Sequence, residues 1–102
     1  MEYYCKPLKK HVIIYAINYK GYFDTLMISC RTGEVLLDMA MPFFSTRKYC
    51  CYLNDVDNSW LGMWLSSNEI AVPTHRVYSF GTKTYKEYKF KKEKIILWKL
   101  IS

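Results

Sequence analysis

Residues 12–19 and 22–30 are two runs rich in β-branched and aromatic side chains, and Asn18, Tyr19, Lys20 and Gly21 punctuate the passage between them. No other feature narrows the fold as much. Such runs favour a pleated, half-buried surface, and a break ending in glycine supplies the positive φ that a tight reversal needs. The reading is a hairpin. Arg31, Thr32 and Gly33 form a further three-residue turn, and in residues 34–41 that follow, Val35, Leu37, Met39 and Met41 alternate so as to share one face. Pro42 ends that run, having no N–H for a ladder.

The second half is less regular. Residues 54–58 are a polar cluster that reads as a loop. Residues 60–65 are apolar and read as extended, with a turn at Ser66, Ser67, Asn68 and Glu69. Residues 70–80 are extended too, though Pro73 confines their early part to an edge or a bulge. After a turn at Gly81, residues 82–91 place Tyr85, Tyr88 and Phe90 among lysines, and the odd spacing of Tyr85 against the other two predicts a bulge. In residues 95–101, Ile96, Trp98 and Leu100 share one face. Helix competes with strand for residues 3–10 and 93–101, and strand is preferred for the latter. The expected class is mainly β, with α+β as the variant.

A chain of 102 residues has room for one domain and one core, residues 1–102 together. Its 51% hydrophobic and 18% aromatic content excludes disorder as a global description. The longest apolar run, residues 12–17, falls well short of the roughly 20 residues a membrane-spanning helix needs, so no membrane segment is expected. Residues 1–7 lack the order of a secretory signal, which points to an intracellular protein. The net charge of +6 is spread evenly: residues 1–48 hold seven Lys/Arg against four Asp/Glu, and residues 49–102 hold eight against five. Such a charge attracts acidic partners weakly without naming one.

Shifting the chain by 48 positions lays residues 12–17 on 60–65, the turn 18–21 on 66–69, Gly33 on Gly81, and residues 34–41 on 82–89. Apart from the two glycines, the match lies in the order of runs and turns. It predicts two weakly similar β motifs, residues 1–48 and 49–102, related by pseudo-twofold symmetry and sharing one core, with a cleft at their junction. A cleft of that kind accepts an extended peptide through main-chain hydrogen bonds. Tyr15, Tyr19, Tyr22, Trp60 and Trp64 are the expected peptide anchors, since aromatic side chains dominate binding hot spots.

No catalytic constellation stands out, and neither a metal nor a cofactor site is expected. His11 and His75 stand alone. Asp55, Asp57 and Asn58 resemble the start of a calcium loop, but its sixth position is Trp60 and its twelfth Ser66, where the geometry demands glycine and a carboxylate. Phosphate-cradling glycine loops are missing. Cys5, Cys30, Cys50 and Cys51 contain no CxxC pair and suit buried thiols, with one disulfide as the alternative in a hyperthermophilic cell. The strongest nucleic-acid candidate is residues 83–94, where Lys83, Lys86, Lys89 and Lys91 interleave with Tyr85 and Tyr88, because lysine pairs with phosphate while rings stack on bases.

The length, the texture of residues 11–21, and Lys91, Lys92, Glu93, Lys94, Ile95, Ile96, Leu97 and Trp98 resemble the short, Tyr-, Ile- and Lys-rich orphan proteins of filamentous viruses of hyperthermophilic archaea, the Acidianus type in particular. The resemblance implies an intracellular host setting and transfers no functional residue. The expected function is a non-enzymatic protein-interaction module holding an extended peptide; the alternatives are a nucleic-acid binder using the lysine-aromatic surface, or a structural assembly component. Oligomeric state stays open.

Overall fold

The computed structural model describes residues 1–39 and 47–99. Strand β1 (Tyr3–Cys5) leads through a single 3-10 turn, Lys6–Leu8, into β2 (Lys10–Tyr19), and Lys9 reverses the chain with φ 54°. The competing helix for residues 3–10 is therefore reduced to that one turn, where Pro7 suits the start of a turn and disrupts a longer helix. In β2, Val12, Ile14, Ala16 and Asn18 are buried, while Ile13, Tyr15 and Ile17 on the opposite face are half-buried. β3 (Tyr22–Ser29) pairs antiparallel with β2, and the loop between them is only Lys20 and Gly21, with φ 52° and 92°. Positive φ at both positions matches the right-handed twist of the flanking strands. Asn18, expected in the turn, is a buried strand residue that ties it down: its Oδ1 accepts from the Gly21 N–H at 3.0 Å and its Nδ2 donates to the Trp98 carbonyl at 3.0 Å.

The turn at residues 31–33 forms as expected, Gly33 taking φ 95°, and leads to β4 (Val35–Asp38). A register shift at Ile28/Ser29 changes which side chains point inward, so Met39 is buried and Val35 is exposed. Val35 thus does not share the face of Leu37 and Met39, although the alternation predicts that it does. Met41 and Pro42 lie outside the described residues, as does Leu100.

β5 (Cys50–Tyr52), β6 (Ala71–Phe80) and β7 (Lys83–Phe90) form a second sheet in the order β5-β7-β6. Between β5 and β6 the chain makes α1 (Leu61–Ser67), where an extended run had been expected. Leu61, Trp64 and Leu65 lie at helical spacing and are buried, while Met63 is exposed, so the run has a core-facing stripe with a period near 3.6. An apolar stretch this short is compatible with either period, and packing decided it. Gly62 permits the approach of α1 to β7, since a Cβ there would collide with the Tyr88 hydroxyl. The helix ends in a Schellman arrangement: Ile70 N–H donates to the Leu65 carbonyl, Glu69 N–H to that of Ser66, and Glu69 adopts φ 57°.

The bulge expected in β7 falls in its partner instead. Pro73 pairs with Tyr88 and Val77 with Lys86, so β6 carries two extra residues, and His75 takes φ 68°. β6 lies at the sheet edge, where proline is tolerated. Past a 3-10 turn at Lys92–Lys94, β8 (Ile96–Lys99) crosses to the first sheet and runs parallel to β2 from Tyr15 to Asn18. β1 and β8 thus share one edge of β2, end to end.

The protein is a mainly β single domain with one core. Val12, Ile14, Leu26 and Ile28 from the first sheet meet Cys51, Tyr88 and Phe90 from the second, with Leu61, Trp64 and Leu65 of α1 closing the side. At the 48-residue offset, the β2 run falls on α1, and the two sheets differ in strand number and order. The runs correspond in sequence because both are apolar, and the backbone makes different elements of them.

Candidate functional site

The two sheets are joined at one end by Tyr49. Its N–H donates to the Gly21 carbonyl at 2.7 Å, and its own carbonyl accepts from the Phe90 N–H at 2.8 Å, so one residue bridges the β2–β3 turn and the end of β7. Lys48 lies across that turn, its side-chain carbons 3.1–3.2 Å from where a Cβ on Gly21 would stand. The Tyr49 ring meets Phe23 edge-on at 6.2 Å, and Phe23 meets Phe90 likewise at 5.8 Å, forming an aromatic ladder across the seam.

Two adjoining recesses share Tyr49. One, about 460 Å³, is lined by Lys48, Val72, Lys89, Phe90, Lys91, Lys92 and Glu93 besides Tyr49; the other, about 300 Å³, by Asn18, Tyr19, Lys20, Gly21 and Lys99. Six lysines therefore surround the seam against one carboxylate. None of the six enters an ion pair among the described residues. The Lys92 ammonium sits 4.8 Å from the centre of the Tyr49 ring, and that of Lys20 is 5.3 Å from the Tyr19 ring, both within cation–π range. This arrangement combines positive charge with flat apolar rings, which suits a ligand that is both anionic and aromatic.

The predicted residues divide sharply. Tyr19 and Tyr22 face one another across the hairpin end, 44% and 43% exposed, and Tyr19 lines the smaller recess. Lys89 and Lys91 line the larger one. By contrast, Tyr85 and Tyr88 are buried and offer no surface for stacking, Lys83 stands at the β6–β7 hairpin, and Lys86 lies beside the β6 bulge. Trp64 is core, its Nε1–H donated to the Tyr4 carbonyl at 3.1 Å, and Trp60 packs edge-on against it at 6.2 Å. Trp64 is thus buried, whereas Trp60 is half-buried. Tyr15 is half-buried on the outer face of the first sheet, its ring 4.9 Å from that of Trp98 and its hydroxyl 3.2 Å from the Met27 sulfur.

Sequence reasoning missed Lys20, Lys48, Tyr49, Lys92 and Lys99 as members of one site. Only Lys92 fell inside the basic stretch, and only Lys20 inside a recognised turn; nothing local connects the five.

A third recess, about 380 Å³, opens at the β6 bulge over Glu87. That carboxylate is buried, accepts from the Thr74 hydroxyl at 2.6 Å and lies 3.8 Å from the Arg47 guanidinium, so its function is internal pairing. All four cysteines are free thiols, and burial pushes those of Cys5 and Cys50 above the ordinary range. The described residues contain no group of three or more His, Cys, Asp or Glu able to hold a metal ion, and no helix among them is long and apolar enough to cross a membrane. No protein-family model, curated protein or solved structure matches the chain.

Proposed function

We propose that this protein binds nucleic acid at the seam between its sheets. The observation that carries the reading is the set of six lysines around Tyr49, opposed by Glu93 alone in the lining of the two recesses and making no ion pair among the described residues. Lysines placed in this way neutralise phosphates and release the counterions condensed on them. The site keeps part of the predicted lysine-aromatic surface, Lys89 and Lys91, and replaces Tyr85 and Tyr88 by Tyr19, Tyr22 and Tyr49. The test is fluorescence anisotropy of a labelled oligonucleotide titrated over a range of salt. The logarithm of affinity should fall linearly with the logarithm of salt, by about 0.7 for each phosphate contacted on a single strand. Binding that is flat with salt, or undetectable at about 50 mM, removes the proposal.

A protein partner is the second reading, and a different surface favours it. On the outer face of the first sheet, Ile13, Tyr15, Ile17, Met27 and Ile96 lie beside Trp98, which is 53% exposed. An exposed tryptophan on an apolar sheet face is a suitable anchor for another chain, whether an extended peptide or a component of an assembly. The peptide expectation then rests on this face rather than on a cleft between related halves. A screen of immobilised peptides, repeated with Trp98→Ala, tests it: saturable binding that the substitution abolishes supports the reading, and binding indifferent to Trp98 sinks it.

A further inference from the structure

Three observations meet at Tyr49. Its φ of 60° places a bulky, non-glycine residue in the left-handed region, which side chains with a Cβ occupy at a cost and glycine occupies freely. Its backbone is held on both sides, by Gly21 and by Phe90. Its ring leans on Phe23 with one edge and carries the Lys92 ammonium over its face. A glycine satisfies the chain reversal here without strain, so the reversal alone does not account for the tyrosine. Backbone strain of this kind persists where the surroundings over-determine it, and it collects at ligand contacts because it holds a group ready.

We infer that Tyr49 is a base-stacking residue and that the seam takes single-stranded nucleic acid. The inference rests on the nucleic-acid reading above and adds the form of the ligand. In the free protein the Lys92 ammonium covers the ring. On binding, a base takes that face and Lys92 moves onto a neighbouring phosphate, so the same lysine serves both states. Tyr19 and Tyr22, exposed on the other side of Gly21, continue the stacking surface, and Lys20, Lys48 and Lys99 accompany it. A duplex keeps its base faces inside its own stack and has only phosphates to offer this site. Stacking tolerates any base, so the preference is for strandedness and not for sequence.

The experiment compares affinities near 50 mM salt for a single-stranded DNA, the same sequence as RNA, its duplex, an abasic strand of equal length, and a poly-glutamate peptide. Intact single strands should bind at least about 5-fold more tightly than the abasic strand, the lower end of the gain from a single stacked base. The DNA and RNA arms separate the two sources of a single strand, and a stacking gain in either supports the inference. Tyr49→Gly, chosen because glycine suits the backbone, should weaken intact-strand binding by a larger factor than abasic-strand binding, so that the ratio between the two falls. Tyr49→Phe should retain the gain. Should Tyr49→Gly fail to fold, quenching of a 2-aminopurine strand by the unaltered protein reads stacking on the tyrosines of the seam, and unquenched emission on saturation overturns the inference. Equal affinity for intact and abasic strands overturns the stacking inference while leaving phosphate binding in place. Failure of every nucleic acid to bind overturns the underlying reading, and poly-glutamate binding as tightly as the strands overturns both.

Discussion

Strand β7 and the seam around Tyr49 are built from the same residue types, lysine and aromatic rings, in opposite arrangements. In β7 the tyrosines are interior: Tyr88 faces the main core with Phe90, and Tyr85, an odd number of residues away, lies buried on the other face. Its lysines are exposed but divided, Lys83 at the hairpin, Lys86 by the bulge and Lys89 at the seam. At the seam the lysines come from the β2–β3 turn, the residues before β5, the end of β7, the turn after it and β8, and they converge on the half-buried Tyr49 and the exposed Tyr19. The difference teaches that interleaving in sequence is not interleaving in space. A strand sends alternate residues to opposite faces, and its rings are the best material for a core. Turns and crossings escape that rule, so charges and rings from distant segments gather there on one surface.

The largest effect that sharpens this contrast is on stability. Tyr88→Ala should lower the free energy of unfolding by about 3 kcal/mol or more, the range for deleting a buried aromatic ring, whereas Tyr22→Ala should change it by about 0.5 kcal/mol or less. Urea denaturation measures both, and similar losses would mean that the two classes of tyrosine are not distinct. Next in size is binding. Reversing charge at Lys48 and Lys92 together should weaken oligonucleotide affinity about tenfold or more at low salt and flatten its salt dependence, while reversal at Lys83 and Lys86 should change it less than about threefold. Equal losses from the two pairs would return the binding surface to β7.

The smallest effect is on pH dependence. Burial, reinforced by the Asp55 charge, raises the Tyr88 hydroxyl, and burial, reinforced by Glu87, raises the Cys50 thiol; Tyr3 and Cys5 shift in the same direction, again chiefly through burial. Each group keeps its proton longer in the folded chain than in the unfolded one. Above about pH 9 the unfolded chain therefore binds fewer protons, and stability should fall as pH rises further, with no slope from these groups near neutrality. The urea midpoint at pH 7 and pH 10 checks the sign. Unchanged stability at pH 10 would mean that the tyrosine and thiol burial contrasted with the seam has no energetic consequence.

Much of the first sheet was legible because its signals are local. β-branched and aromatic runs around a glycine turn specify β2 and β3, and the turn at residues 31–33 specifies its own reversal; in the second sheet, Pro73 marks an edge strand next to a bulge, where an edge or a bulge is expected. The strand preferred near the C-terminus formed as β8. The second half was harder to read. Residues 60–65 satisfy either period over so short a length, and only the fit of Leu61, Trp64 and Leu65 against β-sheet side chains, with Gly62 beneath Tyr88, selected helix. The site was half legible. Tyr19, Tyr22, Lys89 and Lys91 were named from local texture but assigned to two different functions, and Tyr49 carried no signal, because its place depends on bonds to residues 28 and 41 positions away along the chain.

By itself the amino-acid order determined the β character, the single core, the first hairpin and the surplus of positive charge, all of which follow from side-chain shape, periodicity and turn chemistry within a few residues. The tertiary structure decided that α1 is a helix, that β8 lies beside β2, and that six scattered lysines meet at one tyrosine. Those outcomes depend on which distant surfaces bury one another, and solvent exclusion depends on spatial proximity rather than on separation along the chain.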